Sequence, residues 1–389
     1  MRILMIAPQP FYEDRGTPIV VRRVLQAISK CGHQVDLITF PPGITVSIDG
    51  LRIYRVGAFL GIRNIPIGFS IKKLILDTFL LPAMIRQLRR EHYDCIHAVE
   101  EAAFPALLAA RLHKLPLLYD MQSSLPEQLK AHRFFSLAPV YSNLRRLEKF
   151  LLRRVDFVAC SVGLKEHVQQ NAPGTPVREW HYPTMDAALP VTTSEQPGLN
   201  LNIPRGSYVI LYTGNFEAYQ GVDLLVKAIP LVLAEIPTAV FLFVGSKDGE
   251  SLPGLDGSRS SEPAVRVVPR QPQEQMASFL SMASVVVSPR LPIGNLPLKV
   301  FDYMASGKPI VATDSKAHRS ILNDDSAVLV EHNPAAIAAG IVMLYKNPAL
   351  AERLAETAHR FALKNLGWDA FISEIDKIYT ELRQTASPA

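Results

Sequence analysis

The feature that most constrains this chain is an alternation that runs along it twice. Short, unbroken apolar runs are separated by segments whose apolar residues recur at helical spacing. An unbroken apolar run fits a strand covered on both faces, the signature of a parallel sheet sandwiched by helices. The first run is "RILMIAP". A polar loop, "QPFYEDRGTP", follows it, and then Val20, Val21, Val24, Leu25 and Ile28 fall on one helical stripe. Gly32 stands where a left-handed helix cap belongs, and "QVDLITF" is the next strand. This is a β-α-β unit.

The same rhythm continues through strands "DCIHAV", "LPLLYDM" and "DFVACSV", with helices "AAFPALLAARLHK" and "SNLRRLEKFLLRR" between them. At residue 186 the composition shifts to Pro, Ser, Thr and Gly, which marks residues 187–206 as an interdomain linker. A second series then starts with "YVILYTG". It passes through helix "GVDLLVKAIPLVLAEI", strands "AVFLFVG" and "VRVVP", a helix at Phe279 and Leu280, and strands "SVVVSP", "PIVAT" and "AVLV". The expectation is an α/β chain with two doubly wound parallel sheets. One domain spans 1–186 and the other 207–367, and a last helix within 368–389 has no strand after it.

Bulk numbers agree with this. At 389 residues the chain is too long for one ordinary core, and 48% hydrophobic residues suffice for two. Cys31, Cys95 and Cys160 lack metal-site spacing; Cys95 and Cys160 lie in apolar runs and read as core residues of a reducing compartment. The N-terminus reads as a first core strand, since proline and "EDR" follow it too closely for a signal peptide. The formal charge of +5 is mildly basic and points to anionic partners such as phosphates or a lipid surface. Zinc-finger spacing, an RNA-binding signature and a basic tail with interleaved aromatics are all missing, so nucleic acid is not an expected partner.

The most informative stretch is "PLKVFDYMASGKPIVATD", residues 297–314. With Leu298 at the origin of a helical wheel of about 100° per residue, Asp302 falls at about 40°, on or beside the apolar stripe. A carboxylate there needs partners. Gly307 and Pro309 end the helix before "IVAT" returns to the sheet. The acid therefore lies near the edge where β-α loops gather and ligands bind. Two readings stand: an i,i+3 pair with Lys299, or a ligand contact.

Other candidates follow the same logic. Gly16 and Thr17 lie between the first strand and the first helix, where backbone N–H groups can approach a phosphate; an ordinary glycine turn is the alternative. Gly214 ends the first strand of the second series and Gly221 opens its helix. Arg290, after "SVVVSP", and Lys299 are cations near that loop, and both also read as surface charges. Glu217 and Tyr219 share the loop. His97 sits at the end of "DCIH", just before Glu100 and Glu101, and reads either as functional or as a satisfied core histidine. In "NLRRLEKFLLRR", Arg145, Arg146, Lys149 and Arg153 line one face and Leu144, Leu147 and Leu151 another. That is a basic amphipathic helix, packed on a sheet or laid on an anionic membrane.

Together, "RGTP", "YTGNFEAYQGVDLL" and "PLKVFDYMASGKPIVATD" resemble retaining glycosyltransferases of family 4, with the GT-B fold, over nearly the whole chain. The resemblance implies two Rossmann-like domains facing across a cleft, an N-terminal one for the acceptor and a C-terminal one for the donor, with the final helix returning to the first. It implies that Asp302, five residues before Gly307, takes the place of a glutamate that binds the donor's ribose. Gly16, Thr17, Gly214, Asn215, Glu217, Arg290 and Lys299 would complete the donor site. The sequence departs from the family pattern in three places. Gly294 replaces an earlier acid, and Asn215 and Gln220 replace an arginine and a lysine that usually meet the diphosphate. Arg290 and Lys299 are the candidates to restore that charge. Where many members carry a histidine, "LLYDMQSSLPEQ" offers Asp120 and Gln122. Asp120 is expected to stabilise the sugar cation or accept a proton, or else to be a capping or loop aspartate.

The implied activity is transfer of a hexosyl unit from a UDP- or GDP-sugar to a hydroxyl of a glycan or of a polyprenyl- or other lipid-linked acceptor, in cell-envelope or exopolysaccharide assembly. The expected location is the cytoplasm, including the inner face of the plasma membrane, with peripheral contact through the basic N-terminal surface. The nucleotide sugar is a co-substrate; no other cofactor and no metal is expected, as no Asp-x-Asp occurs. A nucleotide-sugar 2-epimerase of the same fold and a non-catalytic nucleotide-sugar-binding member remain as alternatives. A dehydrogenase is disfavoured because no G-x-G-x-x-G follows the first strand.

Overall fold

A computed structural model describes the chain apart from residues 14–15, 42, 63–64, 66–69, 131–134, 184–200, 247–250, 254–263, 273–274, 292–296 and 386–389. Gly294, Arg15 of "RGTP" and most of the expected linker therefore lie outside the described residues. The chain divides into two units. The first comprises residues 1–182 and 368–389, and the second comprises residues 183–367.

The first unit contains β1 (Arg2–Pro10), α1 (Gly16–Lys30), β2 (Gln34–Phe40), β3 (Leu51–Arg55), α2 (Ile71–Asp77), α3 (Leu80–Arg90), β4 (Cys95–Val99), α4 (Ala103–His113), β5 (Leu117–Met121), α5 (Leu125–Leu129), α6 (Ala138–Leu152), β6 (Phe157–Ser161), α7 (Lys165–Asn171) and β7 (Val177–Trp180). Its seven strands run in the order β3-β2-β1-β4-β5-β6-β7, all paired in parallel. The strand order reverses direction between β1 and β4. The five apolar runs form β1, β2, β4, β5 and β6, and after the first residue or two each is buried almost throughout. Leu4, Ile6, Ile38, Ile96, Leu117, Tyr119 and Val158 build the core on one face with α2, α3, α4 and α6.

The second unit contains β8 (Tyr208–Thr213), α8 (Val222–Glu235), β9 (Ala239–Ser246), β10 (Val265–Pro269), α9 (Met276–Met282), β11 (Val285–Ser288), α10 (Lys299–Ala305), β12 (Ile310–Thr313), α11 (Lys316–Arg319), β13 (Val328–Val330), α12 (Pro334–Lys346) and α13 (Pro348–Asn365). Its six parallel strands run β10-β9-β8-β11-β12-β13, so the order reverses between β8 and β11. Gly307 follows α10 in the left-handed region at φ 65°, the cap expected from the sequence.

Two edge strands, β3 and β7, were not legible as apolar runs. Edge strands are only half covered, and charged residues interrupt the apolar pattern of "LRIYR" and "VREW". Helix α14 (Trp368–Thr385) belongs to the first unit, where it packs on α1 and β7. Its Tyr379 hydroxyl lies 2.7 Å from His97 Nδ1, and both side chains are buried. Arg178 of β7 is paired with Glu374 and Glu381 of the same helix.

Tyr379→Phe removes the hydroxyl that partners a buried ring nitrogen of His97, and an unsatisfied buried polar group costs about 1–3 kcal/mol. Both tryptophans, Trp180 and Trp368, lie in the first unit. Chemical denaturation followed by tryptophan fluorescence should therefore show that unit losing stability on this scale.

Candidate functional site

In a doubly wound sheet ligands bind beyond the carboxyl ends of the strands where the order reverses. In the second unit that point lies between the end of β8, at Thr213, and the end of β11, at Ser288. The 214–221 loop leaves β8 and closes at Gly221. Gly221 has φ 68°, and a Cβ there would lie 2.1 Å from the Pro289 carbonyl oxygen. Gly245 has φ 126°, and its Cβ would lie 2.4 Å from the Gly214 oxygen. Side chains at either place would push the loop off the strand ends. Leu291 N–H donates to the Tyr219 carbonyl at 3.0 Å, tying the segment after β11 to the loop.

Two cations meet there. Lys299, the first residue of α10, donates to the Thr213 carbonyl at 2.9 Å and lies 3.8 Å from the centre of the Tyr212 ring. Its Nζ would be 3.3 Å from a Cβ on Gly214. Arg290 places its guanidinium 4.9 Å from the centre of the Tyr219 ring, and its buried Nε has no hydrogen-bond partner. Burial pushes Lys299 well below the usual lysine range, and Arg290 adds to this. Burial also lowers Arg290, against a smaller opposing pull from Tyr219 and Tyr212. Two positive groups are thus held near each other in partly buried surroundings, which an anion would relieve.

Helix α10 fixes this end of the sheet. Four residues after Lys299, Tyr303 accepts the Thr213 N–H at 2.9 Å through its hydroxyl. Its phenol is pushed up to about 12 by burial. His318, on the short α11, joins the ends of β11 and β12. Nδ1 lies 2.7 Å from the Thr313 carbonyl, and Nε2 lies 2.9 Å from Ser288 Oγ. A carbonyl only accepts, so Nδ1 carries the proton and Nε2 accepts from Ser288. Burial pulls this histidine down to about 4, partly opposed by the bond to Thr313, while Lys299 and Arg290 lower it further.

The structure thus brings Gly214, Arg290 and Lys299 together. Asn215 is half-buried in the same loop and accepts the Tyr212 hydroxyl through its carbonyl at 2.7 Å. Glu217 is exposed. Gln220 is buried and its Oε1 has no partner. Asp302 is half-buried in the first turn of α10. Tyr303 and His318 went unnoticed in the sequence: one looks like core in an apolar helix, and the other follows an apolar strand with no motif around it.

In the first unit the order reverses between β1 and β4. Gly16, exposed, and Thr17, half-buried, are the first residues of α1. Glu100, just past β4, is buried with φ 51°, a left-handed backbone unusual for a glutamate. It accepts the Ser123 hydroxyl at 3.1 Å, and burial, with Glu101 adding, holds it well above the usual carboxylate range. His97 falls in mid-strand. Its Nε2 lies 3.5 Å from Asp120 Oδ2, both side chains have 0% exposure, and neither of those two atoms makes a hydrogen bond. Asp120 Oδ1 accepts from Trp180 Nε1 at 3.0 Å and from the Gln122 amide. On α6, Leu151 is buried in the core and Leu144 is half-buried, whereas Leu147 and Phe150 are exposed. Arg145 and Arg146 are exposed as well, and the Arg154 guanidinium lies 4.8 Å from the centre of the Phe150 ring.

Comparisons with known proteins agree with the fold. Residues 15–183 match the family described as Glycosyltransferase Family 4, and residues 207–347 match Glycosyl transferases group 1. The chain is 30% identical over 206 residues to the D-inositol 3-phosphate glycosyltransferase of Thermomonospora curvata, covering 50% of this chain and 47% of that protein. It is 24% identical over 389 residues to the phosphatidyl-myo-inositol mannosyltransferase of Mycobacterium tuberculosis, covering 97% of this chain and 96% of that one. Among solved structures, sucrose-phosphate synthase from Thermosynechococcus elongatus is similar with a TM-score of 0.76 at 20% identity, over 99% of this chain and 100% of that one.

The His318 ring makes a pH prediction. Its folded value, about 4, lies below the ordinary 6.5, so below 6.5 the unfolded chain takes up a proton that the folded one refuses. Its contribution is complete above pH 6.5, declines as pH falls, and levels off near 4. Wild type should therefore lose on the order of 3 kcal/mol more than His318→Gln between these pH values. Denaturant titrations at a series of pH values measure the difference.

Proposed function

This chain belongs to the family 4, group 1 glycosyltransferases, with the GT-B fold, and we propose that it transfers a hexosyl unit from a UDP- or GDP-sugar to a hydroxyl of a glycan or lipid-linked acceptor. The observation that carries the donor side is the convergence of Arg290 and Lys299 on the 214–221 loop at the strand-order reversal of the second unit. The donor's diphosphate lies there, and Asp302 on the same α10 takes the ribose. The charge that Asn215 and Gln220 do not supply comes instead from the ends of two other elements, β11 and α10.

In this reading the bond between the sugar's anomeric carbon and the diphosphate breaks, and its electron pair leaves on the phosphate oxygen. The acceptor oxygen enters on the same face, and its proton passes to the departing phosphate. The need is stabilisation of the leaving group, which Arg290 and Lys299 supply, more than a strong base. No metal takes part in the proposal. His97, which meets Tyr379 of α14, and Asp120, which holds Trp180 of β7, are fully buried, and this reading gives them a structural role in place of the catalytic one expected from the sequence. Acceptor binding falls to the first unit, around Glu100 at its strand-order reversal, while Gly16 and Thr17 at the start of α1 keep the phosphate-binding role expected of them. Among the described residues no helix is long and apolar enough to cross a membrane. Peripheral contact is assigned to α6 through Leu147 and Phe150, beside Arg145, Arg146 and Arg154.

Calorimetric titration with UDP, GDP and ADP tests the donor site. At least one should bind, and Arg290→Ala should weaken it about 10- to 100-fold, since a hydrogen bond to a charged group contributes about 1.5–3 kcal/mol. Asp302→Ala should also weaken it, and unchanged affinity would refute the ribose role. Supplying the matching sugar nucleotide should then release the nucleoside diphosphate in the presence of acceptor. Binding without release across many acceptors points to a non-catalytic member, and interconversion of C2 epimers points to an epimerase.

Vesicle sedimentation tests the surface. Wild type should pellet with anionic vesicles more than with neutral ones, and the double variant Leu147→Ser/Phe150→Ser should pellet less. Equal pelleting of the two proteins removes α6 from the proposal.

A further inference from the structure

We propose that His318 is a positioning residue for Arg290, acting through Thr313 to hold the backbone from which the Arg290 guanidinium reaches the 214–221 loop. The inference rests on the reading that this loop receives a diphosphate. It adds a residue that makes no contact with the ligand.

Strands β11 and β12 pair in parallel as far as Ser288 and Ala312. Beyond that point the ladder no longer fixes their separation, yet Arg290 lies only two residues past Ser288. The His318 ring fills the gap, with Nε2 2.9 Å from Ser288 Oγ and Nδ1 2.7 Å from the Thr313 carbonyl. Thr313 in turn donates its hydroxyl to the Arg290 carbonyl at 2.6 Å, and that hydroxyl lies 3.3 Å from His318 Nδ1. The chain from imidazole to Thr313 to the Arg290 backbone is thus continuous.

The other supports of Arg290 come from the loop itself: the Tyr219 ring beneath the guanidinium and the Leu291–Tyr219 backbone bond. Arg290 therefore hangs between the loop and the β12 end, and His318 fixes the second of these. His318 and Thr313 both have 0% exposure, so neither reaches a ligand. The ring is itself placed by Ser315, whose hydroxyl accepts the His318 N–H at 3.1 Å and caps α11. A neutral ring suits the place. Protonation would set a third positive charge beside Lys299 and Arg290, opposed by the exposed Asp314 just before α11, a carboxylate that Arg319 already pairs.

The test is a double-mutant cycle on affinity for UDP, GDP and ADP, using the full chain. The variants are His318→Ala, His318→Asn, the nearly isosteric Thr313→Val, Arg290→Ala, and the pairs of His318→Ala with the last two. Thermal melts report the folded fraction, to which each affinity is normalised. His318→Ala and Thr313→Val should each weaken binding by on the order of tenfold, a size usual for residues in one hydrogen-bond network. Combining them should weaken it no further. In the Arg290→Ala background His318→Ala should have no effect, and His318→Asn, which offers an N–H near the Nδ1 position, should recover part of the loss. Full additivity of His318→Ala with Arg290→Ala would overturn the inference and leave the donor-site reading intact. So would a lowered melting point with unchanged affinity. An Arg290→Ala variant that binds as tightly as wild type would overturn the donor-site reading and this inference with it.

Discussion

Thr213 is the last residue of β8 and the point on which the second unit's candidate site depends. On its β9 side the ladder continues, with Thr213 opposite Val244. On the β11 side pairing stops at Leu211, so the Thr213 amide and carbonyl need other partners. Helix α10 supplies both, Tyr303 for the N–H and Lys299 for the carbonyl, from two positions one turn apart. A strand end that would otherwise fray is clamped. The same clamp carries the Lys299 amine to the mouth of the loop, so a hydrogen bond needed for the fold also places a cation at the strand-order reversal.

The loop geometry and the charges are connected. Gly221 lets the 214–221 loop close onto Pro289, and Arg290 is the next residue. Gly245 lets the neighbouring strand approach Gly214, above which Lys299 lies. Each close approach brings one cation nearer. Burial first, and then the neighbouring Arg290, disfavour the charged form of Lys299. An anion beside the two cations would offset that cost. The first unit spends its buried polar groups differently. His97, Asp120, Trp180 and Tyr379 knit α14 to the sheet, while Glu100 holds an unusual backbone at the β1/β4 reversal.

Much of this was legible in the residues. The buried strands announced themselves because a strand covered on both faces must be apolar throughout, as "ILMIA" and "VVV" are. The edge strands β3 and β7 did not, because half-covered strands carry charge. Gly214, Arg290 and Lys299 were identifiable as neighbours of one loop from their places near strand ends, with surface charge standing as an equal reading for the two cations. Tyr303 and His318 were not. Their contribution is a hydrogen bond to a residue 90 positions away in one case and 30 in the other, and nothing local records it. On α6, helical spacing identified an amphipathic helix but not which leucines lie inward: Leu151 is core and Leu147 is not.

The sequence alone determined the fold class, because the periodicity of apolar residues is a local property set by which faces must leave water. It also showed which glycines, cations and acid stand next to the strand ends. The tertiary structure decided which atoms meet: that Lys299 reaches back to Thr213, that Arg290 lies over Tyr219, and that a buried neutral histidine bridges two strand ends. Those facts depend on strand order and helix placement, and long-range packing fixes them, not local pattern.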